Sequence, residues 1–290
     1  MLTWFIKLNR MEVHSYRKSI LPPSMAVAQA FGSDTEPILL PGGQGNSYVS
    51  GNIVLKREED AGIANWMAEF FQSLPGSPGV RFLRPVKSIH GMWMYEGYVA
   101  WVYMRGEHVK GHYAEKLSAS RAFHNLIRNV EKPHFLDVPR NSWAAADLVA
   151  LGEKPFDYEE EFMELYRQIK PHLRPLEARS QLVHGDLSAN ILCDQELPPA
   201  IIDFSPAWAP NGFAEGIMLA DAIAWDNPPV DELASFKKIP DIEQLAWRGT
   251  LRRIAEQAEH IRWYGKDKNQ SVKQARVFQK AIDFLKDWSL

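Results

Sequence analysis

The sequence has few of the features that mark secreted, membrane-embedded or nucleic-acid-binding proteins. It has 290 residues and a single cysteine, Cys193, so no intramolecular disulfide can form and a reducing, cytoplasmic setting is expected. No apolar run approaches the roughly 18–20 residues that a membrane-spanning helix requires. The formal net charge is −3 and no long basic run occurs, so neither nucleic acid nor a membrane is expected as a partner.

Two common nucleotide-binding motifs and a zinc motif are also missing. The glycines of segment 42–45 are not followed by Gly-Lys-Ser/Thr, as in a P-loop, nor by a helix, as in a dinucleotide-binding fold. His108 and His112 have a zinc-like spacing, but Gly111 interrupts them and no metal site is expected there. The composition, 46% hydrophobic and 24% charged, is that of an ordinary globular protein long enough for two packed units.

The most informative part of the chain is the segment 183–192 (VHGDLSANIL) together with 201–204 (IIDF). In each, an apolar run meets an Asp-bearing loop. Phosphoryl transfer from ATP needs a positioned acceptor hydroxyl and oxygen ligands for Mg²⁺. We therefore expect Asp186 to orient the hydroxyl and accept its proton, and Asn190 and Asp203 to ligate the metal.

These two segments resemble the catalytic and metal-binding loops of the aminoglycoside phosphotransferase and choline kinase group, the small-molecule branch of the protein-kinase-like fold. The spacer between Asp186 and Asn190 is one residue shorter than in most members. The resemblance implies an α+β fold with a small β-rich N-lobe, a larger helical C-lobe and the ATP site between them. The expected division is an N-terminal extension at 1–24, a nucleotide-binding N-lobe at 25–104 and a C-lobe at 105–290 that carries both loops and the acceptor pocket.

Three shorter motifs are similar to those of a less familiar, actinobacterial-type subgroup of phosphotransferase-like proteins. They are segments 40–45 (LPGGQG), 106–108 (GEH) and 202–206 (IDFSP). The resemblance runs from about Met25 to Trp225 and is consistent with the short spacer as a subgroup trait. It supports the fold and the ATP chemistry but implies no particular acceptor.

The predicted N-lobe contains a glycine-rich turn between two strands, followed by a lysine. Lys56 ends a predicted buried strand, and Gly51 with Asn52 predicts the hairpin before it. In a kinase-like chain this order gives a loop that covers the nucleotide and a lysine that contacts the α- and β-phosphates. Without the catalytic and metal loops, a plain structural turn would be the better interpretation of the glycines. The glycines expected at the nucleotide are Gly42, Gly43 and Gly45.

Two further N-lobe contacts are implied by the resemblance. Glu69, on a predicted helix, would hold Lys56 toward the phosphates, and its alternative is an ordinary solvent-facing glutamate. The last N-lobe strand would cross toward the C-lobe, and its backbone would pair with the adenine edge at Ala100, Val102 and Met104. The alternative for this segment is an ordinary sheet strand.

Two C-lobe residues are implied to support the site without taking part in the chemistry. His184 would shape the catalytic loop by bonding to neighbouring backbone, with general-base work as the alternative. Asp221, on a predicted helix at 216–225, would anchor the loop. Further helices are expected at 241–264 and 271–288.

The sequence therefore predicts an ATP- and Mg²⁺-dependent phosphotransferase that phosphorylates a hydroxyl of a small-molecule metabolite. One alternative is a non-catalytic, kinase-like nucleotide-binding or scaffold protein. Another is ATP-dependent activation of a hydroxyl for elimination or cyclisation, or nucleotidyl transfer. Asp186 argues against the scaffold, because a protein that only binds ATP does not need a residue that orients an acceptor. No pattern selects an acceptor or an oligomeric state.

Overall fold

The computed structural model describes residues 22–41 and 45–288. The chain separates into two compact units. The first runs to Pro75 and resumes for Leu83–Met104, and the second consists of Gly76–Phe82 and the chain from Arg105 onwards. Most of the strand residues lie in the first unit and most of the helices in the second, as the α+β prediction requires.

The elements have the following bounds. The strands are β1 (Ile38–Leu39), β2 (Ser47–Ser50), β3 (Ile53–Arg57), β4 (Arg81–Phe82), β5 (Pro85–Val86), β6 (Met94–Tyr95), β7 (Tyr98–Val102), β8 (Ser180–His184), β9 (Ile191–Leu192), β10 (Ala200–Ile201) and β11 (Pro206–Pro210). The helices are α1 (Met25–Ala30), α2 (Ala61–Ser73), α3 (Tyr113–Leu126), α4 (Ser142–Leu151), α5 (Glu160–Ile169), α6 (Phe213–Asp221), α7 (Ile242–Tyr264), α8 (Lys268–Arg276) and α9 (Gln279–Asp287).

The first unit is built on an antiparallel sheet in the order β1-β2-β3-β7-β5, with β6 also paired to β7. The predicted hairpin is confirmed: Ser50 pairs with Ile53, and Gly51 turns the chain at a φ of 58°. Along β3 burial alternates, because successive side chains point to opposite faces of the sheet. Ile53 and Leu55 enter the core, where α1 packs on them, and Lys56 points to the other face.

Helix α2 follows this hairpin and packs on the sheet. Asp60 begins it by accepting hydrogen bonds from the backbone N–H groups of Gly62 and Ile63, which would otherwise lack partners at a helix start. Its deepest residues, Ala64, Ala68 and Phe71, recur at helical spacing and define the face that is packed. Small alanines on this face let the helix approach the strands closely.

The second unit is mainly helical and is organised around α7. This helix is buried over most of its length, and α4, α5, α6, α8 and α9 pack against it. Two small antiparallel strand pairs, β8 with β11 and β9 with β10, lie in this unit, and β4 runs parallel to β10. No described helix is both long enough and apolar enough to cross a bilayer.

The predicted C-terminal helix at 271–288 is wrong in one respect, because it is two helices. The backbone N–H groups of Val277 and Phe278 bond three residues back, to Gln274 and Ala275, which tightens the chain into a turn. The turn places Phe278 in the core, where it is 2% exposed. Burial of this ring outweighs the cost of interrupting the helix.

Candidate active site

The strand pairing of the second unit brings the two Asp-bearing loops together. β8 ends at His184, which pairs with Pro206 of β11, and Ile191 of β9 pairs with Ile201 of β10. The loop at 185–190, which is predicted to be catalytic and is called the catalytic loop below, leaves β8. The loop at 202–205, which is predicted to bind metal and is called the metal loop, joins β10 to β11. Asp186 and Asp203 therefore lie on neighbouring loops, although the chain between them makes a full excursion through β9 and β10.

Backbone hydrogen bonds also join the two loops directly. The N–H of Gly185 donates to the carbonyl of Ser205 at 2.8 Å, and the N–H of Ile202 donates to the carbonyl of Asn190 at 3.0 Å. A Cβ on Gly185 would lie 3.2 Å from the Cβ of Ala207, so this position leaves little room for a side chain. The His-Gly-Asp sequence thus needs its glycine for close packing of the two loops.

The His184 ring is a third connection between the loops. Its Nε2 lies 3.1 Å from the carbonyl of Ile202, and its Nδ1 lies 3.1 Å from the backbone nitrogen of Asp186. Nδ1 must accept from the Asp186 N–H, so the hydrogen-bond network assigns the proton to Nε2. Burial lowers the pKa of the imidazole to about 4, so the ring is neutral at physiological pH. It is fully buried and has no exposed edge for contact with an acceptor.

A buried pair behind His184 was not predicted from the sequence. His124 on α3 accepts the backbone N–H of His184 through Nε2 at 3.1 Å. Its Nδ1 faces the carboxylate of Glu215 on α6 at 3.2 Å, and the Ser120 hydroxyl donates to the same oxygen at 2.7 Å. Both residues are almost fully buried. Because α3 also carries other polar and charged residues, its sequence pattern does not single out His124.

Among the contacts of residues 22–41 and 45–288, side-chain hydrogen bonding to the Asp186 carboxylate involves one of its two oxygens. Its Oδ1 accepts from Arg253 at 2.8 Å, and the side chain is 32% exposed. Burial alone would raise the pKa of this carboxyl, but the charges of Arg253 and Arg252 outweigh that effect and bring the pKa to about 2. Asp186 is therefore ionised at physiological pH. An ionised carboxylate with an exposed oxygen can orient a hydroxyl group by accepting its hydrogen bond.

Asn190 and Asp203 present oxygen atoms of the kind that Mg²⁺ prefers. The amide nitrogen of Asn190 donates to the carbonyl of Asp186 at 2.5 Å, so the amide oxygen is the group left for a ligand. Asp203 is exposed and has a φ of 48°. This left-handed conformation is uncommon for residues other than glycine, asparagine and aspartate, and it occurs often at functional sites.

The donor set fits Mg²⁺ only as a partly protein-bound ion. Within residues 22–41 and 45–288, no three His, Cys, Asp or Glu side chains are grouped to hold a metal. Mg²⁺ typically keeps several waters and is held by one or two carboxylates together with substrate phosphates. Asp203 and the amide oxygen of Asn190 match that pattern, whereas a dedicated all-protein metal cage would not.

Arg253 on α7 is the principal site residue that the sequence did not predict. Its Nε and one terminal nitrogen donate to the two carboxylate oxygens of Asp221 at 2.9 and 2.6 Å. The same terminal nitrogen donates to Asp186, and the other donates to Glu256 at 2.9 Å. Asp221, expected to anchor the catalytic loop, thus reaches Asp186 through Arg253. Burial raises the pKa of Asp221, and the charge of Arg253 opposes this rise.

Arg252 extends the network away from the loop. It donates to Asp147 on α4 at 3.0 Å and to Glu256 at 2.5 Å. Burial raises the pKa of the Asp147 carboxyl to about 6, against the opposing charge of Arg252. Two adjacent arginines in the middle of a buried helix were the sequence signal for this network, since buried cations require carboxylate partners.

The Gly106-Glu107 motif also belongs to the second unit. Glu107 and Cys193 exchange backbone hydrogen bonds of 2.9 Å, which adds this segment to the edge of the strand after the catalytic loop. Gly106 has a φ of 144°, and a Cβ there would lie 2.8 Å from the Cβ of Leu192. The glycine is therefore required both by its backbone conformation and by close packing.

The predicted nucleotide contacts of the first unit are only partly covered by the described residues. Gly42 and Gly43 lie outside them, and Gly45 has a φ of 69°, as expected for a glycine turn. Lys56 is half-buried on β3, opposite Val99 of β7. Glu69 is exposed on α2, away from the face that packs on the sheet. The pairing of Glu69 with Lys56 stays a prediction.

The three predicted adenine contacts are not equivalent. Ala100 lies between Leu55 of β3 and Val86 of β5, so strands occupy both of its backbone edges. The N–H of Val102 donates to the carbonyl of Arg84 at 2.8 Å and is also occupied. Met104 lies beyond the last paired residue of β7. Met104 is thus the one of the three without strand pairing in the described chain, and the backbone contact with adenine stays a prediction.

Comparison with known proteins identifies the fold but no near relative. No protein-family model and no curated protein matches the sequence. An amicoumacin kinase solved with AMP-PNP and Ca²⁺ superposes with a TM-score of 0.58 at 15% identity, covering 89% of this chain and 92% of that one. AMP-bound spectinomycin phosphotransferase gives 0.57 at 12% identity, covering 91% and 97%. APH(2″)-IIIa with GDP and kanamycin gives 0.54 at 16% identity, covering 90% and 96%.

The similarity extends over nearly the whole of both chains in each comparison. Identities this low establish the fold alone and carry no substrate or activity with them. They confirm the resemblance drawn from segments 183–192 and 201–204 at that level. This chain has the protein-kinase-like fold of the aminoglycoside phosphotransferases.

Proposed function

We propose that the protein transfers the γ-phosphoryl group of ATP to a hydroxyl group of a small molecule and requires Mg²⁺ to do so. The observation that carries the proposal is the pairing of β8 with β11 and of β9 with β10. This pairing supports the proposal because Asp186, Asn190 and Asp203 stand on the loops that these strands join. In the proposal, Asp186 orients the acceptor, and Asn190 and Asp203 hold the metal. A structural domain has no need for these three groups on adjoining loops.

In the proposed reaction, Asp186 mainly orients the acceptor. Its open oxygen would accept a hydrogen bond from the hydroxyl and direct the hydroxyl oxygen at the γ-phosphorus. A carboxylate with a pKa of about 2 is a weak base, so it would take the proton late, as the new P–O bond forms. This suits phosphoryl transfer, whose loose transition state depends more on positioning and charge than on proton abstraction.

Asn190 and Asp203 would ligate Mg²⁺, whose bound charge would neutralise the phosphates and align the γ-phosphoryl group for transfer. Asp203 is exposed and lies between β10 and β11. In the first unit, Lys56 would contact the α- and β-phosphates, and Gly42, Gly43 and Gly45 would bring backbone N–H groups to them. Met104 would supply the adenine contact, and Glu69 would hold Lys56 once nucleotide is bound.

The acceptor is proposed only as a class. The solved relatives include complexes with spectinomycin and with kanamycin, both hydroxylated small molecules. We extend to this chain the general property, a small hydroxylated acceptor, and not the identity of either compound. His184 is fully buried, and the proposal needs no covalent phosphoenzyme. The ionised Asp186 can accept a hydrogen bond from a hydroxyl group, which is consistent with a hydroxyl acceptor.

The test is to incubate the protein with MgATP and a panel of hydroxylated metabolites and to identify products by mass spectrometry. The proposal expects a monophosphorylated product together with ADP. An adenylylated product with pyrophosphate would indicate nucleotidyl transfer instead, and a dehydrated or cyclised product would indicate hydroxyl activation. Binding of ATP by calorimetry without any product across the panel would favour the non-catalytic alternative.

A further inference from the structure

Arg253 makes more contacts than burial of its own charge requires. Asp221 and Glu256 already accept from three of its nitrogens, and either carboxylate alone would balance the charge. It nevertheless makes a further hydrogen bond to Asp186, whose side chain is 32% exposed. This extra bond holds Oδ1 of Asp186 and so bears on the orientation of the carboxylate.

We propose that Arg253 is a positioning residue for phosphoryl transfer: it binds Oδ1 of Asp186 and so presents Oδ2 to the acceptor hydroxyl. The inference rests on the proposed function, since it assigns Arg253 a part in that reaction. Arg253 acts through Asp186 and is not itself expected to contact the acceptor. Its contribution is to keep a loop carboxylate in one rotamer before the substrates arrive.

The guanidinium plane is set independently of the catalytic loop. Nε and a terminal nitrogen form a two-pronged pair with Asp221, and the remaining nitrogen bonds Glu256 on the next turn of the same helix. Both carboxylates belong to buried helices, α6 and α7. The group that holds Asp186 is thus fixed by rigid elements, whereas Asp186 itself stands on a loop.

Lysine could not reproduce this arrangement, and this gives a test. The planar guanidinium directs donors at Asp221, Glu256 and Asp186 simultaneously, whereas an ammonium is a point charge on a flexible stem. Arg253→Lys keeps the positive charge in the network and loses the fixed geometry. A merely structural cation would be replaced well, and a positioning group would not.

The experiment measures phosphate release from MgATP, with water as the acceptor probe, for wild type, Arg253→Lys and Arg253→Ala. The proposal expects kcat to fall on the order of 10²-fold in both variants while KM for MgATP stays within about twofold, as for a misplaced catalytic group. Millimolar guanidinium should restore part of the turnover of Arg253→Ala, and methylammonium should not. Arg262→Ala, which removes an exposed arginine of the same helix, is the control and should keep wild-type kcat.

Wild-type kcat in either Arg253→Lys or Arg253→Ala would overturn the inference. So would a loss of turnover that is accompanied by a lowered thermal midpoint and that guanidinium does not reverse. If wild type releases no phosphate to water but phosphorylates a metabolite of the panel, the same variants are compared with that acceptor. If it also forms no product across the panel, the proposed function fails, and Arg253 is judged by a measurement that needs no activity. That measurement is a double-mutant cycle of Arg253→Lys and Asp186→Asn on the thermal midpoint. Non-additive shifts support the contact, and strictly additive shifts reject it.

Discussion

Gly216 on α6 and Gly249 on α7 face each other across a gap too narrow for any side chain. A Cβ on Gly249 would lie 2.6 Å from the carbonyl carbon of Gly216, and one on Gly216 would overlap the carbonyl of Leu245. About one helical turn further along these helices stand Asp221 and Arg253. The close approach of the two backbones therefore sets the distance over which Arg253 reaches Asp221 and, beyond it, Asp186.

Gly249→Ala should destabilise the protein strongly, because the added methyl group meets backbone atoms that cannot rotate away. Overpacking a core typically costs about 1–3 kcal/mol, and an obstruction by backbone belongs at the upper end. Thermal unfolding monitored by circular dichroism would show a lowered midpoint. Gly76→Ala is the matched control, since nothing lies within 4 Å of the methyl group there. A Gly249→Ala midpoint equal to that of wild type would refute the close-packing account.

Nucleotide binding should depend on Mg²⁺ through Asp203. Wild type is expected to bind MgATP more tightly than metal-free ATP, because Asn190 and Asp203, on adjoining loops, are proposed to ligate a cation that also binds the phosphates. Asp203→Asn removes one charge at nearly constant volume, so it should reduce that difference while leaving the fold intact. Isothermal calorimetry with and without Mg²⁺ measures both effects. Equal affinities for wild type under the two conditions would count against Asn190 and Asp203 as metal ligands.

The proposed pairing of Lys56 with Glu69, which is exposed on α2, can be tested separately. If Glu69 holds Lys56 when nucleotide is bound, Lys56→Ala and Glu69→Ala should each lower turnover. Their combination should then lose less, in free energy, than the sum of the single losses. Steady-state kinetics of the four proteins measures the coupling. Additive losses would leave Glu69 as a surface residue.

His260 should make the fold sensitive to acid. It is 4% exposed on α7, with its ring 5.1 Å from that of Trp143, and burial lowers its pKa to about 4. In the unfolded chain the imidazole has a pKa near 6.5. Between about pH 6.5 and 4 it is therefore protonated in the unfolded chain but neutral in the folded chain. The stability is thus fully present above about pH 6.5 and is lost as the pH falls toward 4. The loss is on the order of 3 kcal/mol, at about 1.4 kcal/mol per pKa unit.

His260→Phe keeps a ring of similar size and removes the titration, so the unfolding free energy should fall less between pH 6.5 and 4 than in wild type. Chemical denaturation at several pH values measures this slope. An identical slope for wild type and His260→Phe would show that the buried imidazole does not carry the effect.

The catalytic half of the site was predictable because its signals are local. Apolar runs ending in Asp-bearing loops, with His184 and Asn190 nearby, occupy one short segment. Antiparallel pairing of β8 with β11 and of β9 with β10 then brings the two loops together. Arg253 was not predictable in the same way. Its partner Asp186 is distant in sequence, and only the packing of α7 against α6 brings the two together.

In the first unit, the packing of the elements could not be predicted even where the elements themselves could. The sequence placed β3 and its lysine correctly, but the apolar stripe of α2 is so broad that it does not show which face packs. Within that stripe, Phe70 and Phe71 are buried together with Ala64 and Ala68, whereas Trp66 is only half-buried. The two alanines belong to the buried face but carry little hydrophobic signal in the sequence. Likewise, a single strand does not show that both edges of Ala100 are paired.

The most direct test of the central claim compares wild type with Asp186→Asn in MgATP binding and in phosphoryl transfer. Asp186 is proposed to contact the acceptor hydroxyl and not the metal, so MgATP affinity by calorimetry should stay nearly unchanged. Transfer, or phosphate release to water, should fall by on the order of 10²–10⁴, the range typical of an acid–base or orienting group. Equal turnover by wild type and Asp186→Asn would contradict the account.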